Sequence, residues 1–191
     1  GTFFWLEQQL SRWPAGPFRL RWILIDQNRQ ALEDARSLHD EALRHLRKAV
    51  PSLSIESDLR LVTGNLFSEK IQRILEPQPF DLILSLNFLS ELPRPKRLGL
   101  VETLLRNYLG PAGKMLIMEP ALRITTRDLM ELHDAIVERK SGSVLAPCLH
   151  QAACPMLAAN NRDWCHTYIP WERPGWIEKI GVEGHDPLQL L

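Results

Sequence analysis

Short apolar runs that end in a polar or small residue alternate along this chain with stretches of helical periodicity, and few folds accept that order. Arg19 to Asp26 (RLRWILID) is an apolar run closed by an acid, and it predicts a strand. Leu32, Ala35, Leu38, Ala42, Leu43 and Leu46 then recur at helical spacing within 30–50, until Pro51 and a Ser-rich stretch stop the helix. A second strand is expected over Leu59 to Thr63, ending at Gly64-Asn65. Ser68 is placed to cap a helix from Glu69 to Leu75, which Pro77 and Pro79 close. Phe80 to Leu86 (FDLILSL) is apolar enough for a central buried strand. A helix over Leu98 to Leu109, a turn at Gly110-Pro111-Ala112-Gly113, and a strand over Lys114 to Glu119 follow. Thr126 to Lys140 then has the pattern of an amphipathic helix with a threonine cap. Strands alternating with helices of this length imply parallel strands joined by right-handed crossovers, so the fold class is α/β with a doubly wound, mainly parallel sheet.

Bulk properties limit what the motifs can mean. A chain of 191 residues with 45% hydrophobic content supports one well-buried core, so one domain with an appendage is expected. Lys plus Arg and Asp plus Glu both count 23, and no whole-molecule field draws the chain to nucleic acid. Apolar stretches such as Leu82-Ile83-Leu84 fall far short of the roughly 20 residues that span a bilayer. Glu7 and Arg12 interrupt the first apolar residues, so a signal peptide is not expected, and no membrane association is. The expectation is a soluble intracellular protein. Its three cysteines all lie between Cys148 and Cys165, which points to metal rather than to a secreted disulfide framework.

In a sheet of this kind ligands bind beyond the carboxyl ends of the strands. Asp26 ends the first run, where an acid can accept hydrogen bonds from both hydroxyls of a ribose, or can serve as a surface or capping residue. Gly64-Asn65-Leu66 could admit an adenine edge or be an ordinary turn. Asn87 could contact cofactor or substrate, or cap the turn that follows it, and Glu119-Pro120 ends the last strand of the series.

Taken together, LIDQN, the Gly64-Asn65-Leu66 turn, FDLILSLNFLSEL and GPAGKMLIMEP resemble the strand-end series of class I S-adenosylmethionine-dependent methyltransferases, a Rossmann-like family. Within that resemblance Gly1-Thr2-Phe3-Phe4-Trp5-Leu6 is similar to the tail of the glycine-rich first motif running into its helix. The first strand and leading glycines of the motif are then expected to be missing; alternatively Gly1 is an ordinary N-terminus. The resemblance implies Asp26 and Gln27 at the ribose, Asn65 and Leu66 at the adenine, and the Leu86–Asn87 backbone on the methionine and methyl side. Gly1 would lie under the methionine part. A sulfonium methyl is already activated, so transfer depends on proximity and orientation, and no catalytic residue is assigned. With no NPPY-like or catalytic-cysteine motif, the acceptor atom is open.

The C-terminal segment narrows the resemblance. Cys148-Leu149-His150, Cys154-Pro155-Met156 and Trp164-Cys165-His166 resemble the cysteine pattern of methyltransferase-like proteins associated with the bacterial and mitochondrial small ribosomal subunit, although that family's usual first element reads CPH. The resemblance implies a 4Fe-4S cluster on Cys148, Cys154 and Cys165, with a fourth ligand not identified. His150 or His166 could instead complete a zinc site, and three unligated cysteines are the plainer alternative. The implied organisation is a Rossmann-like core over 1–140 and a Cys-containing extension over 141–191. Small ribosomal subunit or rRNA is the implied partner, in the cytoplasm, or in the mitochondrial matrix if the source is eukaryotic. Two functions follow from it, methylation of rRNA or the small subunit, and a non-catalytic assembly role that keeps the fold and the cluster. Trp164, Trp171 and Trp176 could stack bases or pack the extension onto the sheet. Arg94, Lys96 and Arg97, and also Arg44, Arg47 and Lys48, could touch phosphates or be solvated faces. His39, His45 and His133 are expected in surface or packing roles, and nothing in the sequence pairs Asp134 and Glu138 as a general acid and base.

Overall fold

The computed structural model describes residues 17–51, 54–75 and 79–166. The expected positions Gly1, Trp171 and Trp176 lie outside the described residues. The chain divides into two compact units, Gly1–Pro77 and Gln78–Leu191.

In the first unit, β1 (Pro17–Asp26) and β2 (Ser54–Thr63) pair in parallel, in register from Pro17 opposite Ser54 to Asp26 opposite Thr63. Between them runs α1 (Arg29–Ala49). Asn28 begins this helix, its Oδ1 accepting from the N–H groups of Gln30 at 2.9 Å and Ala31 at 3.2 Å, which satisfies two of the first-turn donors. Leu43 and Leu46 of α1 meet Ile55 of β2, and Phe18, Leu20, Trp22 and Val50 close around them. Leu38, expected among the inward positions, is 67% exposed, whereas His39 is buried. The ring of His39 is accommodated because Nε2 lies 2.9 Å from Ser57 Oγ and Nδ1 lies 3.0 Å from Asp40 Oδ1. β2 starts at Ser54 rather than at Leu59, because Ile55 and Ser57 face inward while Glu56 and Asp58 face solvent. That is ordinary half-buried strand alternation, disguised by its polar outer face. A short helix, α2 (Glu69–Leu75), buries Ile71 and Leu75 and starts at Ser68, whose Oγ accepts from Ile71 N–H at 3.4 Å.

In the second unit, β3 (Phe80–Leu86) and β4 (Leu109–Met118) also pair in parallel. A 3-10 turn (Leu89–Glu91) and α3 (Arg94–Asn107) connect them. After β4 come α4 (Arg123–Arg139) and the short α5 (Pro155–Ala159). Three boundaries depart from expectation. α3 begins at Arg94 rather than Leu98, since Pro95 sits in the first turn, where its missing N–H costs nothing. The Gly110-Pro111-Ala112-Gly113 segment is not a turn but lies inside β4 at an irregularity, with Phe80 opposite Leu109 and Leu82 already opposite Lys114. α4 starts at Arg123 without a side-chain cap, and Thr125, not Thr126, bonds there, donating to the carbonyls of Pro120 and Leu122. The expected central buried strand is buried on one face only. Ser85 is buried, while Leu82, Leu86, Leu116 and Met118 stay about half exposed.

Asp128 of α4 is nearly buried and pairs with Arg94 and Arg97 of α3. Arg97 also donates to the carbonyls of Leu92 at 2.9 Å and Ser90 at 3.2 Å, so a largely desolvated guanidinium has its donors used. The described residues thus form an α/β structure of two parallel strand pairs with helices, consistent with a Rossmann-like fold.

Leu46 is 1% exposed, so Leu46→Ala is expected to destabilise the protein by roughly 2–5 kcal/mol, and Leu38→Ala by less than about 0.5 kcal/mol. Urea unfolding of the two variants beside the wild type measures the difference.

Candidate functional site

Parallel pairing carries the last residue of β1 and the first residues after β2 to the same end of the first unit. The N–H of Gly64 donates to the carbonyl of Asp26 at 2.9 Å, which joins the expected ribose and adenine positions through one backbone bond. The Asp26 side chain is exposed. One of its oxygens, Oδ1, accepts from the N–H of Asn28 at 2.7 Å, an Asx turn that aims the carboxylate along the strand end. Its other oxygen has no partner among the described residues. Gln27 is exposed beside it. Gly64 has a φ of +154°, a conformation that favours glycine, and a Cβ there would stand a tight 3.2 Å from Ile71 Cδ1 on α2. Asn65 is exposed with its Oδ1 accepting from Phe67 N–H at 2.9 Å, and Leu66 is half-buried. The Asn65 side chain therefore serves the turn, and what it can offer a ligand is its amide N–H2.

In the second unit, Leu86 ends β3 with its side chain 47% exposed. Asn87 follows in the left-handed region, φ 50°, which asparagine tolerates better than most residues, and its N–H donates to the carbonyl of Met118 at 2.8 Å. Glu119 reaches the next two residues, its Oε1 accepting from the N–H groups of Phe88 at 3.0 Å and Leu89 at 2.7 Å. Buried Oε2 of Glu119 has no partner among the described residues, and neither has the buried Ser85 Oγ.

The cysteine loop belongs to the second unit and is fastened to α4. Asp134 Oδ1 accepts from Cys154 N–H at 2.7 Å and lies 2.8 Å from His133 Nδ1. Arg127 donates to the carbonyls of Asn160 at 3.1 Å and Asp163 at 2.6 Å, and Cys165 N–H lies 3.4 Å from Met130 Sδ. Within the loop, the Gln151 amide accepts from Val144 N–H at 2.9 Å and donates to Val144 O at 2.6 Å. All three cysteines are free thiols; Cys154 is buried, Cys148 half-buried and Cys165 exposed. Burial pushes the Cys148 thiol above its ordinary pKa, and the negative charges of Cys165, Cys154 and Asp134 add to the rise. The three thiols are thus close enough to feel one another. Among the described residues, however, no three His, Cys, Asp or Glu side chains gather as a set able to hold a metal ion. His150 Nδ1 accepts from Ala152 N–H at 3.3 Å, and His166 stacks on Trp164 with ring centroids 4.8 Å apart, so both histidines proposed for zinc have local contacts.

The sequence family described as mitochondrial small ribosomal subunit Rsm22 matches residues 30–178, which is most of the chain. The chain belongs to this family. No curated protein and no solved structure matches it. The Rsm22 match begins after Asp26 and Gln27 and spans the Gly64–Leu66 turn, the Leu86–Asn87 strand end and all three cysteines.

Several functional contacts lie beyond what the sequence suggested for this Rsm22-family chain. Arg94 and Arg97, considered for phosphate contact, are committed to Asp128, and Arg44 pairs with Glu41 at 2.6 Å. Glu119 and Asp134 carry hydrogen bonds to residues 20 or more positions away, a distance at which no local motif signals them. A surface concavity of about 350 Å3 lies at the opening of the β1–β2 pair among Arg19, Arg21, Glu56, Ser57 and Asp58, away from the strand ends. No helix among the described residues is long and apolar enough to cross a membrane.

In metal-free protein, maleimide is expected to label Cys165 first, Cys148 next and Cys154 last, as exposure dictates. Because the Cys148 pKa is raised, its thiolate fraction near pH 8 is below that of free cysteine, and its rate should keep climbing at pH values where free cysteine has levelled off. Peptide-resolved mass spectrometry across a pH series reads both.

Proposed function

We propose that the chain binds S-adenosylmethionine and acts on the small ribosomal subunit, methylating rRNA or a component of that particle. The observation that carries the reading is the bond from Gly64 N–H to Asp26 O, which sets an exposed carboxylate beside a glycine–asparagine turn at one strand end. A ribose offers two hydroxyl donors; Asp26 offers an unpartnered oxygen fixed in direction by its Asx turn. Gln27 stands next to that carboxylate, and Asn65 and Leu66 supply an amide and an apolar surface suited to an adenine. The Leu86–Asn87 backbone is assigned to the methionine side, and Gly1 to the same side under the family resemblance. S-adenosylmethionine, when bound, supplies an activated methyl group; the chain's part is to hold and orient it.

Membership of the Rsm22 family supports the ribosomal part of this reading, and with it a mitochondrial matrix setting in a eukaryote or the cytoplasm in a bacterium. The family is defined by a ribosomal subunit and not by a reaction, which favours a second reading: an assembly factor that binds the nucleoside without transferring a methyl group. Cys148, Cys154 and Cys165 are proposed as thiolate ligands of an iron–sulfur cluster, or of zinc, in the extension over 141–191. Their donor chemistry supports this, and binding would have to bring together side chains that among the described residues are not gathered as a metal-holding set.

Removing the Asp26 carboxylate in Asp26→Ala should weaken S-adenosylmethionine binding roughly tenfold or more, the worth of charge-assisted hydrogen bonds. Titration calorimetry of wild type and variant measures it, and labelled methyl transfer to small-subunit particles separates enzyme from assembly factor. A wild-type protein with no measurable affinity would sink both readings. For the metal, anaerobic purification is expected to give a brown, iron-containing protein whose three cysteines resist maleimide until a chelator is added. Colourless protein free of iron and zinc would remove the cluster.

A further inference from the structure

Three consecutive amides after β3 are held by the end of β4. Asn87 N–H bonds the carbonyl of Met118, and the N–H groups of Phe88 and Leu89 both bond the carboxylate of Glu119. The first of these bonds continues the strand ladder and is backbone only, so no side chain decides it. The other two depend on a single side-chain oxygen reaching across from the neighbouring strand. Asn87 stands between the two kinds of restraint with a φ of 50°, a left-handed conformation that asparagine tolerates and that these restraints help to hold. The oxygen of Glu119 opposite the amides is buried and unpartnered, next to a cavity of about 10 Å3, room for one water, lined by Ser90, Arg97, Thr125 and Asp128. A buried carboxylate oxygen without a protein partner costs free energy, which one water in this cavity would offset.

We infer that Glu119 is the positioning residue for the Leu86–Asn87 turn, holding that strand end in the shape that meets the methionine side of the nucleoside ligand. The inference rests on the reading of Leu86–Asn87 as part of the S-adenosylmethionine site. Glu119 does not touch the ligand in this scheme; it acts through the backbone of Phe88 and Leu89. Glutamine has the same length, and its amide oxygen can accept from both N–H groups while its N–H2 faces the water-sized cavity. Alanine removes the acceptor and leaves two buried N–H groups without a partner.

The test uses the whole chain and two readouts, amide hydrogen exchange and calorimetric titration with S-adenosylmethionine. Glu119→Ala is expected to speed exchange at Phe88 and Leu89 roughly tenfold or more and to weaken the ligand by a comparable factor, while Glu119→Gln keeps both within about threefold of wild type. Leu100→Ala, a core substitution on α3, is the control for general loosening and is expected to lower thermal stability without a matching loss of affinity. Unchanged exchange at Phe88 and Leu89 in Glu119→Ala overturns the latch. Equal losses of affinity in Glu119→Ala and Leu100→Ala overturn its ligand-directed role. If Glu119→Ala fails to fold, Glu119→Asp, one methylene shorter, replaces it with the same expected directions. Wild-type protein that binds no S-adenosylmethionine refutes the proposed function and the ligand-directed role, and exchange at the two amides still decides the latch.

Discussion

Parallel pairing is the constraint from which the functional features descend. An antiparallel pair would put the ends of its strands at opposite ends of the ladder, whereas β1 and β2 run together and finish together, Asp26 level with Thr63. Only then can the N–H of Gly64 reach the carbonyl of Asp26 and bring an acid and a turn side by side. The same holds for β3 and β4, where Leu86 finishes level with Met118 and the following residues can share hydrogen bonds. Each pair therefore owns an end at which loop residues meet, and helix packing on the strands is free to serve stability alone.

The sequence was most informative where hydrophobicity is continuous and its ends are punctuated. β3 and α2 keep the bounds read from the chain, because prolines and a capping serine frame them. It was least informative where a polar surface masks regular structure, as in the first half of β2, or where a residue type points the wrong way. Pro95 looks like a breaker and is in fact a first-turn residue, and the Gly110–Gly113 run looks like a turn and is absorbed in β4. Leu38, expected inward, is exposed, while His39 takes the packing role open to it because Ser57 gives the imidazole a hydrogen-bond partner that no leucine could use. Asp26 and Asn65 were legible as site candidates since strand ends are where such sites lie. Glu119 and Asp134 were not, as their importance is set by backbone amides that only folding brings near.

Two carboxylates, Glu119 and Asp128, organise the second unit in different manners. Asp128 neutralises arginines from a neighbouring helix, a pairing whose loss would leave Arg97 charged and largely buried. Glu119 instead captures neutral amides, so its contribution is geometric more than Coulombic. Together they explain why a basic cluster after β3, which could have been an RNA-facing patch, is mostly spent internally, leaving Lys96 as the member with no ion pair among the described residues.

The Arg127 clamp on the carbonyls of Asn160 and Asp163 has a bearing on how the cysteine loop meets changing surroundings. A guanidinium stays charged throughout the range in which cells operate, and carbonyl oxygens do not titrate there at all. The final stretch of the loop, with Cys165 two residues beyond Asp163, is thus tethered by a contact that acidification or alkalinisation leaves alone. The Cys148 thiol is instead pushed above its ordinary pKa, chiefly by burial. One edge of the loop is consequently a fixed post and the other an adjustable one, an asymmetry suited to a segment that must keep its attachment while its thiols change state.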